Sequence, residues 1–306
     1  MDNVANGLIG EYKKYKAMGL NLDMSRGRPD AAQLSLSDGL LDCLRPGLHT
    51  TSGGADGRNY GNNDGLPEMK KIFSDMLGTS PREIIVGGNS SLNMMFDCAA
   101  TFLYKIWERP IKFICPVPGY DRHHNICDYL GIEMVPVDMT QSGPDMDETE
   151  RAAASDARVA GIWCVPVFSN PTGRVYSRET VRRLAKMKAA NENFRIFWDN
   201  AYCVHNFRGE LPAAANIFDE CARAGNPERP VVFTSFSKIS FAGAGVACAA
   251  ASEKNLALLR ERVAAQTVGP DKLNQLRHVI FFGSFDGVLC HMRKHAGLLG
   301  PKFNSV

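Results

Sequence analysis

The chain has 306 residues, with 35 Lys and Arg against 33 Asp and Glu, a net charge of +2, 44% hydrophobic and 22% charged residues. So even a balance gives no footing for nucleic-acid or anionic-membrane partners, and the composition excludes disordered and collagen-like chains. The length exceeds the ~100–200 residues of a typical domain, which predicts one large domain and a smaller companion.

From the amino end, residues 1–16 are polar and lack the apolar core of a secretory signal, and no run of roughly 18 apolar residues occurs anywhere. A cytoplasmic protein without a membrane partner is expected. Helical spacing predicts an amphipathic helix over 6–18, and the glycine-rich stretch 51–65 predicts a loop that serves a site. From residue 83 onward, β-rich runs at 83–87, 111–115, 132–137, 159–167, 194–198, 231–236 and 246–251 alternate with helical patterns. These seven strands predict an α/β fold, a mostly parallel seven-stranded sheet with helices on both faces. Three helices between them are well marked. Over 90–107, Leu92, Met95, Phe96, Ala99, Phe102, Leu103 and Ile106 recur every three or four residues, with Asn89 or Ser90 placed as cap. Segments 177–191 and 252–266 repeat the design behind Ser177 and Ser252, and a last helix is expected to begin near Phe285. The nine cysteines fall singly, with no C-x-x-C, and predict reduced, buried thiols and no metal site.

Open parallel sheets bind ligands beyond the carboxyl ends of their strands, so the residues just after each strand are the ones to weigh. Gly-Gly-Asn-Ser-Ser-Leu at 87–92 joins a strand to a helix, where free amides, the helix dipole and the hydroxyls of Ser90 and Ser91 suit a phosphate, although serine caps alone explain the pattern as well. Asp199 ends an apolar strand and must be solvated, paired or capping; Tyr202 lies three residues on, and a plain turn explains both equally. Lys238 sits in a stretch poor in charge, between Ser235 and Ser237, where desolvation would free its amine to attack a carbonyl. Ser-Phe-Ser-Lys at 235–238 also fits the S-x-x-K of penicillin-binding proteins, but no S-D-N or K-T-G accompanies it. Gly-Ala-Gly at 243–245 precedes a strand and so is set aside as a dinucleotide motif. His123 and His124 lack a partner at metal spacing, and an exposed or capping role is expected for them.

Asn-Pro-Thr-Gly at 170–173, Asp-Asn-Ala-Tyr at 199–202 and Ser-Phe-Ser-Lys at 235–238, in that order and each after a strand, resemble the class I/II aminotransferases of the pyridoxal-phosphate-dependent fold type I. Arg-Gly-Arg-Pro at 26–29, Tyr-Gly-Asn-Asn-Asp-Gly-Leu-Pro at 60–67 and Pro-Val-Pro-Gly-Tyr-Asp-Arg-His at 116–123 extend the resemblance across most of the chain, closest to the MocR-like aspartate aminotransferase subgroup. The resemblance implies pyridoxal 5'-phosphate on Lys238, which also shuttles a proton, with Asp199 at the ring nitrogen, Asn170 and Tyr202 at the phenolic oxygen, and Tyr120 on the ring face. Asn89, Ser90, Ser91, Ser235 and Ser237 are implied around the phosphate, Tyr60 reaches the phosphate of the neighbouring subunit of a homodimer, and Gly27, Arg28 and Asn170 are substrate-binding candidates. Val246 stands where many relatives carry a phosphate-gripping arginine. The domains expected are 1–48 as part of a small domain, 49–285 as the cofactor-binding large domain, and 286–306 as the start of an interdomain helix, the rest of an incomplete small domain lying beyond Val306. The activity implied is transfer of an amino group between an amino acid, aspartate or another acidic one, and a 2-oxo acid such as 2-oxoglutarate. Two alternatives are a truncated, inactive cofactor-binding fragment and a MocR-type regulatory domain without its DNA-binding part.

Overall fold

A computed structural model describes residues 2–21, 27–206 and 214–305. They divide into two units, one within residues 1–30 and one within 31–306. The first contains helix α1, Asp2–Ala17, which begins earlier than its apolar spacing suggested and stops at Gly19, a glycine in the left-handed region.

The second unit is built on eight strands: β1 (Ile84–Val86), β2 (Lys112–Val117), β3 (Glu133–Thr140), β4 (Gly143–Pro144), β5 (Val159–Cys164), β6 (Arg195–Asp199), β7 (Pro230–Ser235) and β8 (Ala247–Ala251). They form one sheet in the order β1-β8-β7-β6-β5-β2-β3-β4. Strands β2, β3, β5, β6 and β7 run parallel, whereas β8 is antiparallel to both β7 and β1, and the short β4 is antiparallel to β3. The predicted mostly parallel sheet is present, with β4 added. Its two residues carry no strand pattern and are held by the turn after β3. Strand β5 ends at Cys164, short of the predicted Val167, because Pro166 has no N–H to offer a neighbour.

The helices are α2 (Ala31–Ser35), α3 (Gly39–Asp42), α4 (Pro67–Leu77), α5 (Ser91–Lys105), α6 (Asp121–Leu130), α7 (Met146–Ser155), α8 (Arg178–Lys186), α9 (Ile217–Arg223), α10 (Glu253–Gln266), α11 (Lys272–Phe282) and α12 (Phe285–Phe303). Successive strand residues face opposite ways, so Ile84 and Val86 join one apolar cluster with α4, α8 and α11 while Ile85 joins another with α5, α6 and α10. Helix α8 stops at Lys186 and not at the predicted 191. Arg229 donates to the carbonyls of Ala185 and Met187 and Asn226 to that of Ala185, so the chain leaves the helix with its last carbonyls satisfied.

The 51–65 segment is fastened to the sheet at Gly65, whose φ of 93° and closeness to Val86, 2.4 Å from where a Cβ would stand, admit no side chain. Beside it, Leu66 N donates to Gln275 on α11 and Asp64 pairs with Arg260 on α10.

Candidate functional site

Asp199 closes β6 with its carboxylate 4% exposed. One oxygen, Oδ2, accepts from His123 Nε2 at 3.1 Å, while Oδ1 is buried with no partner among the described residues. A buried carboxylate oxygen left open is costly unless a donor arrives from outside the chain. His123 comes from α6 and is itself 2% exposed, lying flat on Trp163 at 4.5 Å between ring centres with Tyr120 edge-on at 5.1 Å. The exposed or capping role expected for His123 is therefore corrected: its ring is wedged in the core, and because a carboxylate only accepts, its Nε2 carries the proton.

Lys238 stands in the 3-10 turn Phe236–Lys238 directly after β7, its Nζ 5.2 Å from the centre of the Tyr202 ring. The residue is exposed, contrary to the buried amine that its uncharged sequence neighbours suggested. The turn carries it past the end of the strand, where Phe236 and Ile239 on either side take the buried positions. Burial, then Asp199 and Tyr120, push the Tyr202 phenol up from its ordinary value, so it is a neutral donor near pH 7.

A second group lies along the loop between β1 and α5. Ser90 caps α5 through Leu92 N, Ser91 opens the helix, and the amides of Gly88, Asn89 and Ser90 meet no acceptor among the described residues. Ser235 Oγ donates to Ser237 Oγ at 3.2 Å, Ser237 Oγ to Asn89 O at 3.0 Å, and Asn89 Nδ2 to Gly243 O at 3.1 Å. Gly245 is required by this arrangement, since a Cβ there would stand 2.7 Å from Ser237 N. Free amides at a helix start beside these serine hydroxyls form a neutral cradle for an anion.

Behind Lys238, three buried histidines hold the backbone of its loop and a fourth holds the Ser240 hydroxyl. His205 Nε2 donates to Lys238 O at 3.2 Å, His291 and His295 both reach Ile239 O at 3.0 Å, and His278 pairs with Ser240 Oγ at 2.9 Å. Burial pushes His205, His278 and His291 down to about 4 and lowers His295 as well. The two Nε2 atoms of His291 and His295 are 3.2 Å apart, so protonating both would set two cations in contact. A histidine depressed in the fold contributes full stability above its unfolded value near 6.5 and loses it as pH falls toward the folded value, because the unfolded chain binds the extra proton. His205 alone removes roughly 3 kcal/mol by pH 4 on this basis. Urea midpoints should thus fall steeply between pH 6.5 and 4.5, and more gently in His205→Asn; midpoints level across that range would contradict the neutral cluster.

Among the residues singled out in the sequence, Lys238, Asp199, Tyr202 and Tyr120 are brought together, and so are Asn89, Ser90, Ser91, Ser235 and Ser237. Asn170 is exposed in the turn closed by Ser169 and Arg174, and Tyr60 is 81% exposed on the 51–65 segment. Gly27 and Arg28, both exposed, belong to the first unit, and Arg26 lies outside the described residues. His123, His205 and His291 carry no local sign of their roles, because each meets its partner far along the chain. No group of three or more His, Cys, Asp or Glu among the described residues is placed to hold a metal, and none of their helices is long and apolar enough to cross a membrane.

Comparison with known proteins gives this arrangement a context. The sequence profile of a family described as aspartate amino-transferase matches residues 1–306. A protein of Mycolicibacterium smegmatis described as an aminotransferase is 46% identical over 306 residues, 96% of this chain and 72% of that protein. The crystal structure of an aspartate transaminase from Corynebacterium glutamicum superposes with a TM-score of 0.91 at 40% identity, covering 99% of this chain and 75% of that one. At 21% identity, an alpha-aminoadipate aminotransferase from Thermus thermophilus, complexed with N-(5'-phosphopyridoxyl)-L-leucine, shares the fold with a TM-score of 0.71 over 88% of this chain and 66% of its own.

Proposed function

Because this chain belongs to the aspartate amino-transferase family, we propose that it transfers the amino group of aspartate, or another acidic amino acid, to a 2-oxo acid such as 2-oxoglutarate, using pyridoxal 5'-phosphate held on Lys238. The single observation that carries this reading is the buried, open Oδ1 of Asp199 beside the exposed amine of Lys238 and the neutral anion cradle at 88–90. A pyridinium N–H, a carbonyl and a phosphate are the three groups those features suit. The C. glutamicum transaminase at 40% identity supports the acidic substrate, and the motif set supports the MocR-like subgroup.

When bound, the cofactor supplies an electrophilic carbon and a ring that accepts electrons. The chain supplies the rest. Lys238 would hold the cofactor and, once the substrate's amine has displaced it, its freed amine would carry the proton to and from the substrate's α-carbon, a task its exposed side chain suits. Asp199, oriented by His123, would hold the ring nitrogen's proton. Tyr202 and Asn170 would donate to the phenolic oxygen, Tyr120 would lie on the ring face, and Asn89, Ser90, Ser91, Ser235 and Ser237 would hold the phosphate. The resemblance names Gly27 and Arg28 as substrate contacts. The active species is a homodimer in which Tyr60 reaches the neighbouring subunit's phosphate, a role its 81% exposure favours.

The test is to load the protein with pyridoxal 5'-phosphate, reduce it with borohydride, map the modified peptide, and assay aspartate with 2-oxoglutarate beside alanine and leucine. Label on Lys238 and a preference of at least ~10-fold for aspartate are expected, the size that one charge-assisted contact supplies. Label on another lysine, or equal rates with leucine, would overturn the assignment.

A further inference from the structure

The cradle at 88–90 offers amides and hydroxyls but no cation, and a phosphate dianion taken partly out of water calls for one. The structure assigns that part to Arg277: we propose that its guanidinium, carried on α11, binds the phosphate of the cofactor from across a cavity of about 330 Å³. The proposal rests on the pyridoxal-phosphate reading above.

The cavity is walled by Gly87, Gly88 and Asn89 on one side, Gly243, Ala244 and Val246 on a second, and Asp271, Asn274 and Arg277 of the α11 segment on the third. Two hydrogen bonds dock α11 here. Asn274 Nδ2 donates to Ala244 O at 3.1 Å and to Gly245 O at 3.0 Å, and Gly245 lies against Ser237. Asn274 and Arg277 are three residues apart and share a helix face, so the clamp that holds Asn274 to the cradle also directs Arg277 toward it. The guanidinium forms no ion pair among the described residues, and its Nε is buried without a partner. A half-buried arginine left open in this way is costly, and an incoming anion removes that cost. The other nearby cations are engaged: Lys272 Nζ donates to Gly61 O, Arg262 pairs with Asp97, and Arg260 with Asp64. Asp271, the carboxylate on the wall, is occupied as the N-cap of α11 through Asn274 N. Val246 leaves its own side of the cavity apolar, so the charge must enter from α11.

The experiment titrates apoprotein with pyridoxal 5'-phosphate and, separately, with pyridoxal, for the native chain, Arg277→Met and Arg277→Lys, with inorganic phosphate as competitor. Arg277→Met is expected to weaken the phosphorylated ligand by about 10- to 100-fold, the range for a hydrogen-bonded charge, and to change pyridoxal binding by less than about twofold. Competition by inorganic phosphate should vanish in Arg277→Met and return in part in Arg277→Lys. Equal weakening of both ligands would show a merely structural arginine, and no weakening of either would show that the phosphate is gripped elsewhere; both overturn the proposal while leaving the cofactor reading intact. A native chain that binds neither ligand refutes that reading, and this proposal with it. Should Arg277→Met fail to fold, Arg277→Gln gives the same comparison.

Discussion

Lys238→Ala is expected to lower transamination by more than about 10⁴-fold, since the proposed function has one amine both hold the cofactor and move the α-proton, and general acid–base catalysis alone accounts for about 10²–10⁴. The fold should survive, because Lys238 is exposed and the loop is held by its backbone carbonyls and not by its side chain. The cofactor should still bind through the cradle and Asp199, more weakly and without covalent attachment. Added small amines in the space vacated should restore part of the proton transfer, which a structural lesion would not allow. Single-turnover absorbance with aspartate is the measurement, and a rate within tenfold of the native chain would remove Lys238 from the chemistry.

Asp199→Ala ranks second, with an expected loss of about 10³-fold in the rate of α-proton removal and less than about tenfold in cofactor affinity. The carboxylate acts on charge that develops during the reaction, so its interaction is strongest in the transition state and weak in the ground state. The same substitution leaves His123 Nε2 in the core without its acceptor, and it costs on the order of 1–3 kcal/mol of stability for that reason alone. His123→Phe separates the two effects. It keeps the stack on Trp163 but releases Asp199, and it should slow proton removal by about tenfold, the scale seen when an outer hydrogen-bond partner is lost. A primary isotope effect with α-deuterated aspartate checks that the slowed step is proton removal; its absence in Asp199→Ala, or a native rate in that variant, would count against the role.

The strands and the residues at their ends were legible because both signals are local. Lys238 and Asp199 follow apolar runs that could only be strands, and open sheets gather such ends along one rim. What was not legible depends on partners remote in sequence. The neighbours of His123 in sequence offer it no ligand partner, whereas its partner in the fold is Asp199, 76 positions later. The exposure of Lys238 is set by a turn, and the uncharged neighbours that suggested burial are themselves the buried ones. The end of α8 is decided by Arg229 and Asn226, which no helix propensity contains. The histidines of α12 return to the Lys238 loop only after the sheet is complete, so no neighbouring residue hints at the cluster they build.

The pairing of β1 with β8 sets the order of events during synthesis. Ile84 finds its partner in Ala250, about 160 residues later, and at ~5–20 residues per second a ribosome takes on the order of ten to thirty seconds to deliver it. Through that interval the apolar edge of β1, and the loop at 87–90 that follows it, wait unpaired, open to chaperones and to other nascent chains. Slowing translation just upstream of residue 247 should therefore lengthen the exposure and raise the aggregated fraction, whereas the same delay placed after β8 has emerged from the ribosome should leave it unchanged.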